Sequence, residues 1–309
     1  MLVVKNMDFE FIDIFYNFFI YSFIGWIYES GYVSLTKKVL VNRGFLNGPI
    51  IPLYGCGATL VFIIFWRYKG QDLTIFFGGM LVATMLEYIT SYLMEALFHA
   101  KWWDYCDMKF NVNGRICIAA SLVWGFLSLL MINIIQPIVI DIIKLLKSHH
   151  NKYIAMIIVT IFCLDVTITV VHTLKLDELL SELHNLRIEF SNYMVRTKLF
   201  ESKEDLKNKL FTHKITELLD NIKKALEENK EKLIENQEKR KSFGWRRFKK
   251  DVVKHVKDYT LKFQTQANNT SLVQKRLLKA FPKLDYSKKE DVIKELRERL
   301  LKIKNNKKG

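Results

Sequence analysis

Five apolar runs crowd the first 174 residues of this 309-residue chain. They lie at roughly 11–34, 50–67, 73–98, 116–140 and 153–174 and carry few charges. A helix of about 20 such residues crosses the hydrocarbon of a bilayer. A water-soluble core can hold one helix of this kind, whereas five in succession call for lipid as the solvent. The first run does not look like a cleaved signal: Asp8, Glu10 and Asp13 replace the basic flank, and no small-residue cleavage site follows.

Charge divides the chain at the same place. Up to Leu174 there are 12 Lys/Arg and 11 Asp/Glu; beyond it there are 35 and 21, so nearly all of the net +15 belongs to the second part. Five of the six tryptophans and eleven of the thirteen glycines fall in residues 1–125. The expectation is an all-α protein: a polytopic membrane helix bundle of about five spans over 1–174, then a basic, coiled-coil-rich cytoplasmic tail over 175–309. The four cysteines lie in or beside the spans with no C-x-x-C pair, which reads as apolar packing rather than a disulfide framework. His99, Cys106 and Cys117 match no zinc spacing, so no metal is expected.

In the tail, Leu176, Leu179, Leu183, Leu186, Phe190, Tyr193, Thr197 and Phe200 follow alternating spacings of three and four. That is a heptad seam, open to a second copy or another partner through residues 176–200. Further helices are expected at about 203–238, from Trp245 to Phe263 after an interruption at Gly244, and around Leu272–Ala280 before Pro282. A final helix is expected after it, with Ser287-x-x-Glu290 as a capping box ahead of Val292, Ile293, Leu296 and Leu300. Trp245, Arg246, Arg247, Lys249 and Lys250 make the densest basic run; the stripe Trp245, Phe248, Val252, Val256, Tyr259 and Phe263 lies beside it. A basic face next to an apolar stripe suits an anionic lipid surface, or else a solvated face on a packed helix. Nucleic acid is not expected as a partner of a membrane-tethered tail.

Between the first two runs lies Asn42-Arg43-Gly44-Phe45-Leu46-Asn47-Gly48-Pro49-Ile50-Ile51-Pro52-Leu53-Tyr54-Gly55. Counted from Ile50, the second run barely crosses, so Asn47–Tyr54 is expected to dip into the membrane. Non-helical backbone at that depth must be buried in protein or line a wet cavity. Basic residues near the span ends tie at six a side until Lys175 and Arg187 tip the balance towards a cytoplasmic tail. The opening motif and the Trp102–Arg115 loop would share that side. Pro137 is expected to bend or end the fourth span, with an interfacial helix over 141–152.

Several polar residues stand out against the apolar runs. Glu87, Ser91 and Glu95 follow one another at i, i+4. Glu87 and Asp165 fall near mid-span, where a charge costs on the order of 3 kcal/mol or more. Glu29 closes the first span as a boundary carboxylate or as a partner for Arg43 or Arg115. Both arginines offer a planar fork for a carboxylate or phosphate, or anchor to lipid headgroups. Asn42, Asn47, Asn111 and Asn113 suit helix caps or a polar ligand. Trp102 and Trp103 suit an aromatic belt or a stacking site, and Asp104 follows them.

Gly25-Trp26-Ile27-Tyr28-Glu29, Asn42-Arg43-Gly44-Phe45-Leu46-x-Gly48-Pro49, Pro52-Leu53-Tyr54-Gly55, Glu87-Tyr88-x-Thr90-Ser91, Trp102-Trp103-Asp104-Tyr105 and Asn113-Gly114-Arg115 occur in that order. As a set they resemble the CmpB-like family of type IV ABC-transporter permeases of Gram-positive bacteria. Arg276-Leu277-Leu278-Lys279-Ala280-Phe281-Pro282 is similar to tails in that family. The resemblance implies a permease-like membrane subunit moving a small solute. Its substrate site would draw on Glu29, Asn42, Arg43, Asn47, Glu87, Glu95, Trp102, Trp103, Asp104, Asn113, Arg115 and Asp165. With no G-x-x-x-x-G-K-[ST] in the chain, ATP chemistry would belong to a separate ATPase subunit. No cofactor and no catalytic residue is expected. The competing readings are a non-transporting scaffold or sensor acting through the tail, and an intramembrane enzyme acting on lipid or isoprenoid groups. The site reading makes one geometric demand: Arg43 and Arg115 lie at the same end of the bundle, each near an acid of the first or third span.

Overall fold

The structure, a computed structural model, describes residues 10–147, 151–197, 199–200, 202, 206, 218–228, 243–282, 284–286 and 289–297. Two compact units emerge: Met1–Leu174 with Leu272–Ser287, and Lys175–Ser271 with Lys288–Gly309. The first unit therefore takes in a segment almost a hundred residues further along the chain.

Helix α1, Phe11–Lys37, opens on a capping box between Glu10 and Asp13 and closes at Lys38 in the left-handed region. Acids at its start and Lys37 in its last turn match the helix dipole. Helix α2 is Pro52–Phe65 and α3 is Asp72–Phe98. The hairpin of β2, Asn111–Val112, and β3, Ile116–Cys117, precedes α4, Ile118–Leu130. A π turn over Met131–Ile135 joins α4 to α5, Gln136–Lys147. Helix α6 runs Asn151–Arg196. In the first unit, β1, Ala100–Lys101, pairs antiparallel with β4, Asp285–Tyr286. Apart from these four two-residue strands the described residues carry helices and turns, so the fold is all-α.

Four helical stretches among the described residues are long and apolar enough to cross a membrane: Phe11–Lys37, Asp72–Phe98, Ile118–Lys147 and Tyr153–Arg196. The second expected span, 50–67, is absent from these four: it is α2, which has 14 helical residues. At 1.5 Å per residue it extends about 21 Å, short of a crossing. The fourth span does not stop at Pro137. The π turn just before the proline absorbs the missing N–H and the ring's bulk, and the helix continues. The expected interfacial stretch 141–152 is thus, as far as Lys147, the end of that helix. Lys147 ties it to the start of α1, 3.1 Å from Glu10 and 2.9 Å from Asp13.

The bundle interior is held by small residues and one polar chain. Tyr21 donates to Gln136 Oε1 at 2.8 Å, Gln136 donates to Asn17 Oδ1 at 2.9 Å, and Asn17 donates to Thr59 Oγ1 at 3.2 Å. These buried bonds join α1, α2 and α5 and pair the side-chain amides of Asn17 and Gln136. At Gly55 a β-carbon would overlap the Ser22 hydroxyl, and at Gly25 it would overlap the Tyr54 ring. Glycine is what lets α1 and α2 approach this closely.

In the second unit, the tail half of α6 meets α8, Phe243–Asn268, where Phe190 stacks on Tyr259 at 4.3 Å. Helix α7, Leu218–Glu228, buries Leu218, Ile222 and Leu226. Beyond Leu174 the buried residues of α6 are Leu176, Leu180, Leu183, Arg187, Phe190 and Met194. The expected seam shares Leu176, Leu183 and Phe190 with this face; the alternate positions are 180, 187 and 194, not 179, 186 and 193. Arg187 completes it by facing Asp291 at 3.6 Å and Glu295 at 3.7 Å. The seam is covered from within the same chain. Most of the expected 203–238 helix, together with Ser287 and its capping box, lies outside the described residues. Gly244 does not interrupt the third tail helix, which starts at Phe243.

Candidate functional site

The linker between α1 and α2 folds back along α1. Val41 donates its N–H to Ser34 Oγ at 3.0 Å, and Arg43 donates its N–H to Ser30 Oγ at 3.1 Å. Trp26 Nε1 donates to Asn42 Oδ1 at 2.8 Å, and Ile51 donates to the Ser22 carbonyl at 3.0 Å. Ser34, Ser30, Trp26 and Ser22 are one helical turn apart. The linker therefore descends ~18 Å from near the end of α1. Helix α2 starts at that level, about three turns back along α1.

Backbone carried to such a depth needs partners, because lipid offers none and each unmet group costs several kcal/mol. Side chains supply them. Asn42 accepts from Gly44 N at 3.0 Å and donates to the Asn47 carbonyl at 2.8 Å. Asp165 of α6 accepts from Asn47 N at 3.1 Å, Asn47 Nδ2 at 2.8 Å, Gly48 N at 2.7 Å and Thr169 Oγ1 at 3.2 Å. From the returning segment, helix α9, Leu272–Ala280, brings Arg276. Its guanidinium donates to the Gly44 carbonyl at 2.7 Å, the Phe45 carbonyl at 2.6 Å and Asn47 Oδ1 at 3.1 Å.

Arg43 points the other way. It donates to the Ala280 carbonyl and lies over the Phe281 ring, 4.4 Å from its centroid. Burial lowers its pKa, and the Glu29 carboxylate works against that shift. Burial likewise lowers the pKa of Arg276, opposed by Asp165. Phe281 also packs edge-on to Trp102 at 4.9 Å, and Trp102 to Phe45 at 5.0 Å. The opening motif and the Trp102–Arg115 loop thus meet at one end of the bundle. Trp102 is 3% exposed, a packed core residue of this end rather than a belt residue.

Beneath these loops Glu87, 4% exposed, takes the Tyr105 hydroxyl at 3.1 Å and Trp124 Nε1 at 2.9 Å. Burial raises the pKa of Tyr105, and the neighbouring Glu87 adds to the rise. Glu29 meets the Tyr54 hydroxyl and the charge of Arg43. Tyr54 and Trp124, 5.4 Å apart, also wall a cavity of about 180 Å³ that reaches down to Tyr21 and Met131. Glu29, with Arg43 beside it, and Glu87 therefore stand behind two wall residues, Tyr54 and Trp124, of an otherwise apolar chamber.

Arg115 stands apart from that cluster. Its Nη1 is 2.8 Å from Glu95 Oε2. The two atoms are close but not aligned as a hydrogen bond, so their attraction is Coulombic. The guanidinium also faces the Tyr88 and Tyr92 rings at 5.8 Å and 5.4 Å. Each arginine has its acid from α1 or α3, as the site reading demands, but the two do not share a partner. Trp103 donates to the Arg115 carbonyl at 3.0 Å, Asp104 accepts from Cys106 N at 2.9 Å, and Asn113 donates to Tyr88 at 3.1 Å. Asn111 bonds to the Cys106 and Met108 carbonyls and to Gly114 N. None of the four asparagines caps a helix; all of them hold loops.

On α8 of the second unit, the stripe residues Val252, Val256, Tyr259 and Phe263 are buried within the unit, so they are not free to enter lipid. Arg246, Arg247 and Lys250 are exposed, and Lys249 pairs with Glu227. The side chain of Trp245 lies outside the described residues.

The residues that sequence reasoning missed are the ones completing the linker's bonds: Ser22, Ser30, Ser34, Thr169 and Arg276, with Tyr54, Tyr105 and Trp124 around the acids. The serine and tryptophan ladder at intervals of four was a signal available in the sequence. A family model described as "Putative ABC-transporter type IV" matches residues 16–170. No curated protein and no solved structure matches the chain. Half of the chain, including most of α1, all of α2 to α4, the folded-back linker and Asp165, thus falls inside that match, and the chain belongs to this ABC-transporter family.

Proposed function

We propose that the chain is a permease-like membrane subunit that moves a small solute through its 1–174 bundle, multi-pass in the cell membrane with the tail in the cytoplasm. One observation carries the reading: the linker's non-helical backbone runs ~18 Å along α1 before α2 begins. Transporters use broken helices of this kind where a solute site is built. The cavity below Tyr54 and Trp124 supports it, since about 150 Å³ already admits a benzene-sized group. Glu29, Arg43, Glu87 and Tyr105 gather behind its wall residues Tyr54 and Trp124, and Asn42, Asn47 and Asp165 set the linker in place. A separate ATPase subunit would supply the energy.

The test is uptake and efflux of small-solute panels by cells with and without the protein, then with Glu87→Gln. The reading expects at least one solute gradient to depend on the protein and to fall about tenfold or more in the variant. If no flux follows the protein or a partner ATPase, the reading fails. A scaffold or sensor role is the second reading. It is favoured by one observation, the seating of residues 272–287 against the linker through Arg276. There the exposed Arg246, Arg247 and Lys250 would meet anionic lipid by charge alone, and the tail would recruit a partner or second copy through surfaces other than its filled seam.

A further inference from the structure

The Gly44 and Phe45 carbonyls and Asn47 Oδ1 converge on one planar cation, the Arg276 guanidinium, at 2.6–3.1 Å. We propose that these three oxygens form a receptor for a guanidinium group, which the chain's own Arg276 occupies as a tethered ligand. A guanidino solute would take the same place when residues 272–287 withdraw.

Four features support this assignment. The oxygens exist as a set because the linker is not helical: a helix would have spent both carbonyls on its own N–H groups. Their arrangement suits a fork of parallel N–H donors rather than a point charge. Asp165 stands directly behind Asn47, bonded to its amide at 2.8 Å, so the receptor lies in a negative field. Finally, the occupant arrives on a separable piece of chain. Segment 272–287 is held by the Arg43 contacts, by Phe281 against Trp102, by β4 on β1 and by Gln274 on the His172 carbonyl at 3.1 Å. If it leaves, the two carbonyls lose their donors, since Asn42 serves those of Leu46 and Asn47 instead. A vacated receptor then calls for an equivalent donor. As a statement of solute class this deepens the transport reading and rests on it, but binding is measured apart from flux.

The experiment is hydrogen exchange of the 42–50 backbone in the full chain, reconstituted in lipid nanodiscs. Arg276→Ala should raise exchange there by about tenfold or more, because charge-assisted bonds are lost. Millimolar methylguanidinium chloride should bring it back to within about twofold of the unaltered protein. Choline chloride and sodium chloride at equal ionic strength should not, and Arg276→Lys should restore only part. Unchanged exchange in Arg276→Ala, or equal recovery with choline or sodium, overturns the receptor. Should Arg276→Ala fail to fold, Phe281→Ala keeps the receptor and loosens its occupant. Methylguanidinium must then slow exchange in that variant, and no slowing overturns the proposal. A protein that binds methylguanidinium in this way yet moves no solute would keep the receptor and remove the transport reading.

Discussion

At Gly55 the absence of a β-carbon sets the distance between two helices. Any side chain there meets the Ser22 hydroxyl and the Phe18 carbonyl. The carbonyl is helix backbone and cannot swing away as the tip of a long side chain would. Gly55→Val should therefore sit at the costly end of overpacking, about 3 kcal/mol, and lower the unfolding temperature of the membrane unit in detergent. An unchanged melting curve would mean that α1 and α2 do not pack through this glycine. Glu87 makes the opposite point, that a side chain can be costly and still be required. Its two bonds, to Tyr105 and Trp124, keep a carboxyl at a depth where lipid alone would reject it.

At the scale of elements, the folded-back linker depends on partners far away in sequence. Asp165 is 118 residues from Asn47, and Arg276 is 232 residues from Gly44. Replacing Asp165 by Asn removes the charge and one acceptor. With each charge-assisted bond worth about 1.5–3 kcal/mol, the linker should open more often. Leu46, 1% exposed, gives a reporter. Leu46→Cys in a background without the native cysteines should label with maleimide at least about tenfold faster when Asp165→Asn is added. Equal rates would show that Asp165 does not hold the linker. The helices were legible because lipid-length apolar runs leave the backbone a single solution. The shortness of α2 could also be read, from Pro52 and the residue count. The depth and partners of Asn42–Ile51 could not be, since hydrophobic periodicity says nothing about which distant polar group meets a bent backbone. Asp165 looked like an ionisable group awaiting a ligand, yet its oxygens are engaged by the chain. The tail seam was legible in period but ambiguous in phase: Leu179 and Leu180 are both leucine, and burial alone chooses between them.

On the scale of the whole molecule, the two units rest on different physics. The first turns a shell of exposed apolar side chains outward, among them Ile154, Ile157, Ile161, Leu164 and Ile168 of α6. The second turns Leu176, Leu180, Leu183, Leu218 and Leu226 inward. Leu183, fully buried, tests this. Leu183→Asp should abolish the unfolding transition of the second unit, because a buried unpaired charge costs several kcal/mol. A folded second unit with only a smaller particle size would instead place Leu183 between copies of the chain. One feature of the first unit also bears on how such a chain tolerates change. The π turn at Met131–Ile135 holds one residue more than an α-helical turn would, and each residue advances a helix by ~100°. It works as a phase shifter: everything from Gln136 onward is rotated so that this amide meets Asn17 and Tyr21. A single-residue deletion there would leave composition and hydropathy almost untouched. It would nonetheless turn Gln136 toward the acyl chains, so in this helix the count of residues matters as much as their kind.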